Sequence, residues 1–151
     1  MGKARATELI SCSLAEAWDT LAGLATFSNW VDGFGKLVSD EGEWPAPGSV
    51  ITWESAPRGR GTVREEVLDA RQRERLEVEF ADDAASGLVA TALAIEGDGV
   101  RIEQQINYRL SDPGPFGIVA DLLFVRGEQR RSLERSLGNL KALLERSPPE
   151  G

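Results

Sequence analysis

Histidine is absent from this 151-residue sequence, and cysteine, methionine and tyrosine each occur once. Without an imidazole the chain cannot build a serine or cysteine triad, the usual zinc site, or a histidine-gated pH switch. Cys12 alone forms neither an intramolecular disulfide nor a thiolate cluster. No stretch reaches the ~18 apolar residues of a membrane-spanning helix, and the charged start leads into no apolar run of signal-peptide length. Positive charge is also short: 25 acidic residues face 17 basic ones, for a net charge of −8. That balance argues against nucleic acid as a partner, since such binding needs a basic face. The expectation is a cytoplasmic protein with no membrane span, no metal site and no cofactor.

What is present suits one domain. A chain of this length buries roughly 70% of its unfolded surface on folding, enough for a core. Residues 3–12 read as a strand. Ser13 with Glu16 three positions on is a capping box, and Leu14, Ala17, Trp18, Leu21 and Leu24 follow at helical spacing. A second short helix is predicted over 26–31, ending at the Asp32-Gly33 turn signal. From residue 35 to 110 the period changes to two. Strands are predicted over 35–39, 49–55, 61–70, 74–81, 87–96 and 100–110. They are separated by breakers such as Trp44-Pro45-Ala46-Pro47-Gly48 and the tight Gly97-Asp98-Gly99 hairpin. Leu76, Val78 and Phe80 alternate with Arg75, Glu77 and Glu79, as in an antiparallel sheet with one covered face. A long helix is predicted over 115–146, with Val119, Leu122, Leu133, Leu137, Leu140 and Leu144 on one stripe. Pro148 and Pro149 then leave a disordered tail over 147–151.

Strand, two short helices, six antiparallel strands and a long helix make an α+β chain, a curved sheet of about seven strands wrapped around the last helix. The features that carry a resemblance are the Ser13–Leu24 helix with Trp18, the Phe27-Ser28-Asn29-Trp30 segment, Gly48 before a strand, and Gly61-Thr62-Val63. To these add the closing pattern from Pro115-Phe116-Gly117 to Leu133-Glu134-Arg135-Ser136-Leu137-Gly138-Asn139-Leu140-Lys141. In their order the chain, as one domain over 1–146, resembles the START/polyketide-cyclase superfamily (SRPBCC) with its helix-grip fold. The resemblance implies a cavity between sheet and long helix, opening near the short helices. Members of that group bind sterols, lipids, hormones or polyketide intermediates there, and some cyclise or dehydrate polyketides.

Candidate site residues follow from alternation and the helical wheel. Arg126 falls near the centre of the buried stripe between Leu122 and Leu133. A guanidinium there needs a partner: a ligand carboxylate, enol or phosphate, an ion pair with Glu65, or water reached by snorkelling. Glu65 lies between Val63 and Val67 on the apolar face, where a dry setting raises a carboxyl pKa and suits it to acid–base work; a slip of phase would leave it solvated. Gln104, Tyr108 and Thr91 occupy the covered face of the last two strands, to orient a ligand or to satisfy one another. Trp30, Phe34, Trp53 and Phe80 line a cavity and its mouth or simply form core, and Val119 and Leu122 face it from the helix. Trp18 reads as core, Trp44 as a lid on the sheet end, and Phe124 as an exposed gate or a loop-covered ring. Arg58-Gly59-Arg60-Gly61 reads as turn chemistry, Asp82-Asp83 and Asp40-Glu41 as solvated loop tips, and Cys12 as no nucleophile.

These residues lead first to a protein that binds a small hydrophobic molecule, lipid-like or polyketide-like, with Arg126, Glu65, Gln104 and Tyr108 as polar anchors. The alternative is a polyketide aromatase/cyclase or dehydratase using Glu65, Tyr108 or Arg126. The third reading is a protein-interaction module. Both pocket readings require a cavity of at least ~300 Å³. Nothing in the sequence indicates an oligomeric state.

Overall fold

A computed structural model of the chain describes residues 2–57, 59–111 and 124–146. Strand β1 (Gly2–Ile10) is followed by α1 (Leu14–Ala22), a 3-10 turn (Leu24–Thr26) and the single-turn α2 (Phe27–Trp30). Six strands come next: β2 (Phe34–Glu41), β3 (Val50–Ser55), β4 (Thr62–Arg71), β5 (Arg75–Ala81), β6 (Ala85–Glu96) and β7 (Gly99–Leu110). The last helix, α3, spans Arg126–Arg146. The tail over 147–151, the predicted helix residues 115–123, and with them Val119 and Leu122, lie outside the described residues.

The capping box forms as predicted. Ser13 Oγ accepts from the Glu16 amide, and Glu16 Oε1 accepts from the Ser13 amide, both at 3.1 Å. The seven strands make one antiparallel sheet in the order β1-β7-β6-β5-β4-β3-β2. Strands β2 to β7 run as consecutive hairpins, and β1 returns to pair with β7. At the β6–β7 hairpin Glu96 pairs with Gly99, and Gly97 takes a φ of 60° that an L side chain seldom adopts.

Alternation sorts the two faces. On the inner face β5 buries Leu76, Val78 and Phe80, while β7 buries Val100, Ile102, Ile106 and Tyr108. The helix α3 covers that face with Leu133, Leu137, Leu140 and Leu144, and the buried Ser136 joins the same stripe. Its main strand contact is β1, where the inward residues Ala4 and Ala6 are small enough for a helix to come close. Two polar ties hold the same seam: Lys141 Nζ donates to the Leu9 carbonyl at 2.7 Å, and the Ser11 amide donates to Glu145 Oε2 at 2.8 Å. The fold is the expected helix grip.

Leu140 is fully buried. Leu140→Ala is expected to lower the unfolding free energy by about 2–5 kcal/mol, and Ser13→Ala by about 1 kcal/mol. Urea denaturation of each variant measures both losses.

Candidate functional site

A cavity of about 100 Å³ lies between the inner face of the sheet and α3. It is bounded by Phe27, Trp30 and Trp44 and by Trp53, Arg60 and Glu65. Thr91 and Gln104 line the sheet side, and Ser132, Leu133 and Ser136 the helix side. The volume falls short of the ~300 Å³ that both pocket readings required, so the lipid-like or polyketide-like ligand expected from the sequence does not fit the cavity as it stands. It is close in scale to the engineered cavity of about 150 Å³ that stays dry and binds benzene.

The aromatic wall is continuous. Trp30 and Trp44 both pack edge-on to Phe27, with centroids at 5.9 Å and 6.1 Å. Phe27 meets Phe34 at 6.3 Å, and Phe34 stacks on Trp53 at 5.0 Å. Trp44 reaches this wall from the proline-rich loop, next to a cis Trp44–Pro45 peptide. It therefore forms part of the cavity, beyond the lid role expected of it. Phe34 supports the wall from behind without lining the space.

Glu65 keeps the inward phase on β4. Its carboxylate Oε2 accepts from Trp53 Nε1 at 2.7 Å. Burial pushes the Glu65 pKa above its ordinary value, while the Trp53 hydrogen bond and the Arg60 cation hold it back. The basic partner is thus Arg60, from the loop between β3 and β4, and not Arg126. The Arg60 guanidinium stands 5.4 Å from the Trp53 ring centroid and 5.3 Å from that of Phe80. Its Nε donates to Asp82 Oδ2 at 2.7 Å. Asp82 is not a solvated loop tip: its side chain is 4% exposed, and its Oδ1 accepts from the Ala84 and Ala85 amides. Arg60 was hidden in the sequence by its Gly59 and Gly61 neighbours, because a turn has no period to show which way a side chain points.

Arg126 is exposed. A helical wheel gives direction round the axis and not position along it. Buried residues on α3 begin at Leu133, two turns further on. Phe124 and Val125 also lie in a π turn, which breaks the 100° step assumed from Leu122 onward. Phe124 is 69% exposed. Gln104 Nε2 donates to Thr91 Oγ1 at 3.1 Å, so these two satisfy each other on the cavity wall. Phe80 and Tyr108 are buried core that does not line this cavity. Cys12 is only partly buried, and burial with Glu16 and Glu145 nearby pushes its thiol pKa up, which suppresses nucleophilic thiolate.

The turn after α2, which borders the cavity at Asp32, is clasped to α3. Asp32 accepts from Ser132 Oγ at 2.8 Å and from Arg135 Nε and Nη2 at 3.1 Å each. Its amide donates to Ser136 Oγ at 2.8 Å, and Asn139 Nδ2 donates to the Trp30 carbonyl at 3.3 Å. The motif was legible only as a turn, since its partners lie about a hundred residues away.

Because the folded Glu65 pKa is raised, the folded state holds a proton that the unfolded chain has already lost. Stability therefore declines as pH rises from the ordinary carboxylate value through the folded one. Glu65→Gln removes that decline. The difference in urea midpoint between variant and parent should grow in the variant's favour from pH 4 to pH 8.

Among the described residues no helix is long and apolar enough to cross a membrane, and no cluster of three metal-ligating side chains occurs. Among curated proteins none matches the chain. Of solved structures, a protein from Thermus thermophilus superposes with a TM-score of 0.75 at 18% identity, covering 97% of this chain and 99% of its own. CalU16 from Micromonospora echinospora gives 0.68 at 14%, covering 97% and 76%. DynU16, from the dynemicin biosynthetic locus, gives 0.71 at 14%, with 99% of this chain matched to 49% of its own. At such identities the likeness is one of fold. A family model described as polyketide cyclase / dehydrase and lipid transport, however, matches residues 1–145. With a match that runs from β1 through the helix the sheet grips, the chain belongs to the polyketide cyclase/dehydrase and lipid transport family.

Proposed function

We propose that the protein binds a compact, mainly apolar small molecule in the cavity between the sheet and α3. The observation that carries this reading is the cavity itself: an aromatic-walled space of about 100 Å³ with a few polar groups on its surface. Such a space suits a single ring or a short branched chain. An extended lipid or a folded poly-β-carbonyl chain is too large for it unless the clasp at Asp32 opens, so the ligand class is narrower than the family name suggests.

A second reading rests on Glu65. Its carboxyl sits on the cavity wall with a raised pKa, and a proton held there is available to a bound carbonyl or enol. In that case the protein would be a dehydratase or cyclase acting on a compact substrate, with Glu65 as acid or base. Tyr108 and Arg126 do not line the cavity, so neither shares that role.

Toluene serves as a probe of the first reading. Added at a hundred times its dissociation constant, it should stabilise the protein by about 2.7 kcal/mol, read as a rise in Tm. Val89→Phe puts a ring on the cavity wall and should abolish the rise. An unchanged Tm in the parent protein at saturating toluene counts against the pocket. The two readings part on Glu65→Gln: affinity survives under both, but turnover of a true substrate falls by about 10²–10⁴ only if Glu65 transfers the proton.

A further inference from the structure

The hydrogen bond between Thr91 and Gln104 uses only part of what the two side chains offer. Gln104 Nε2 donates to Thr91 Oγ1 at 3.1 Å, while Gln104 Oε1 accepts from no donor among the described residues. Nor is that oxygen sealed in. Among the described residues the side-chain atoms both buried and unpartnered are the indole nitrogens of Trp30 and Trp44, which are closed off, and Gln104 Oε1 is not among them. Its opening leads into the cavity. Gln104 lines that space from the inner face of β7, and its neighbours there, Ala6, Thr91, Ile102 and Ile106, are all buried. Thr91 stands opposite on β6, with the apolar Leu76 beyond it on β5. Its hydroxyl takes the Gln104 hydrogen and donates to nothing among the described residues. Native proteins seldom leave buried polar groups so.

We propose that Thr91 and Gln104 form the recognition point for a hydroxyl group on the bound molecule. This rests on the binding reading above and deepens it. A ligand hydroxyl donates to Gln104 Oε1 and, through its own oxygen, accepts the Thr91 hydrogen, so one group uses both spare positions. A ketone or an ether lacks the hydrogen that Oε1 needs. The bond to Thr91 fixes which end of the carboxamide meets the ligand, and the apolar neighbours offer no competing partner. Glu65 Oε1 also has no donor among the described residues, but it stands on β4, three strands from Gln104 on β7. The ligand class is a compact alcohol or phenol.

Phenol and toluene test this by calorimetric titration, since they share a shape and differ in OH against CH₃. A wholly apolar wall would favour toluene strongly, because phenol gives up its hydrogen bonds to water. With the hydroxyl bonded, phenol is expected to bind at least as tightly as toluene. Gln104→Met should lower the phenol-to-toluene affinity ratio about tenfold, and Thr91→Val several-fold. Retained toluene affinity in each variant shows that its pocket is intact. In the unaltered protein, where no substitution disturbs folding, the Gln104 side-chain amide signals in ¹⁵N-resolved NMR spectra should move with phenol and not with toluene. Equal movement with both, a parent that favours toluene strongly, or an unchanged ratio in Gln104→Met overturns the subsite and leaves the pocket standing. A ratio that falls in Glu65→Gln and not in Gln104→Met assigns the hydroxyl to Glu65 and likewise overturns it. If neither compound binds, the pocket reading falls and the subsite with it.

Discussion

Everything in this molecule depends on the leucine stripe of α3 lying on the inner face of the sheet. Seven antiparallel strands make a surface apolar on one side, and a sheet of that kind must be covered to stay in water. Leu133, Leu137, Leu140 and Leu144 supply the cover. Each buried leucine contributes about 1.5–3 kcal/mol, so the four together match the net stability of a whole domain, about 5–15 kcal/mol. At its C-terminal half the helix is tied to the end of β1 by Lys141 and Glu145. Toward its N-terminal half the helix is held by α2 and the Asp32 clasp instead, and there the cavity remains.

That cavity is a compromise between packing and polarity. Filling it with aliphatic side chains would add stability, yet the wall carries two carboxylates, a guanidinium, three hydroxyls, two amides and three indoles. Each charge is balanced within the protein. Glu65 takes the Trp53 indole, and Arg60 lies against two aromatic rings with Asp82 as its counter-ion. The clasp works differently. Arg135 is about half exposed, so its ion pair with Asp32 is screened by water and weak, near the 0–1 kcal/mol typical of surface pairs. The turn after α2 is thus held to α3 mainly by hydrogen bonds to Ser132 and Ser136.

How much of this was legible depends on the kind of residue. Period-two alternation from 61 to 110 put Glu65, Thr91 and Gln104 on the covered face, and all three line the cavity. The capping box located the start of α1 to within a residue, while its end came two residues before the Leu24 expected on its face. Arg126 misled because a wheel cannot show where along a helix the sheet stops covering it. Arg60 and Asp82 were passed over because they stand in turns, where no periodicity reports side-chain direction. Trp44 was recognised as a loop aromatic, but only the path of its loop brings it against Phe27.

The sequence by itself determined the element order, the antiparallel sheet, the covered face and the family likeness, because these rest on local periodicity and on punctuation by glycine and proline. It also narrowed any acid–base chemistry in the cavity to a carboxylate, a phenol or a guanidinium, since no imidazole exists. Tertiary structure alone decided which cation meets Glu65, how small the cavity is, and which indoles lack an acceptor. Those are relations between loops and helices far apart in the chain, set by packing distances that no local pattern encodes.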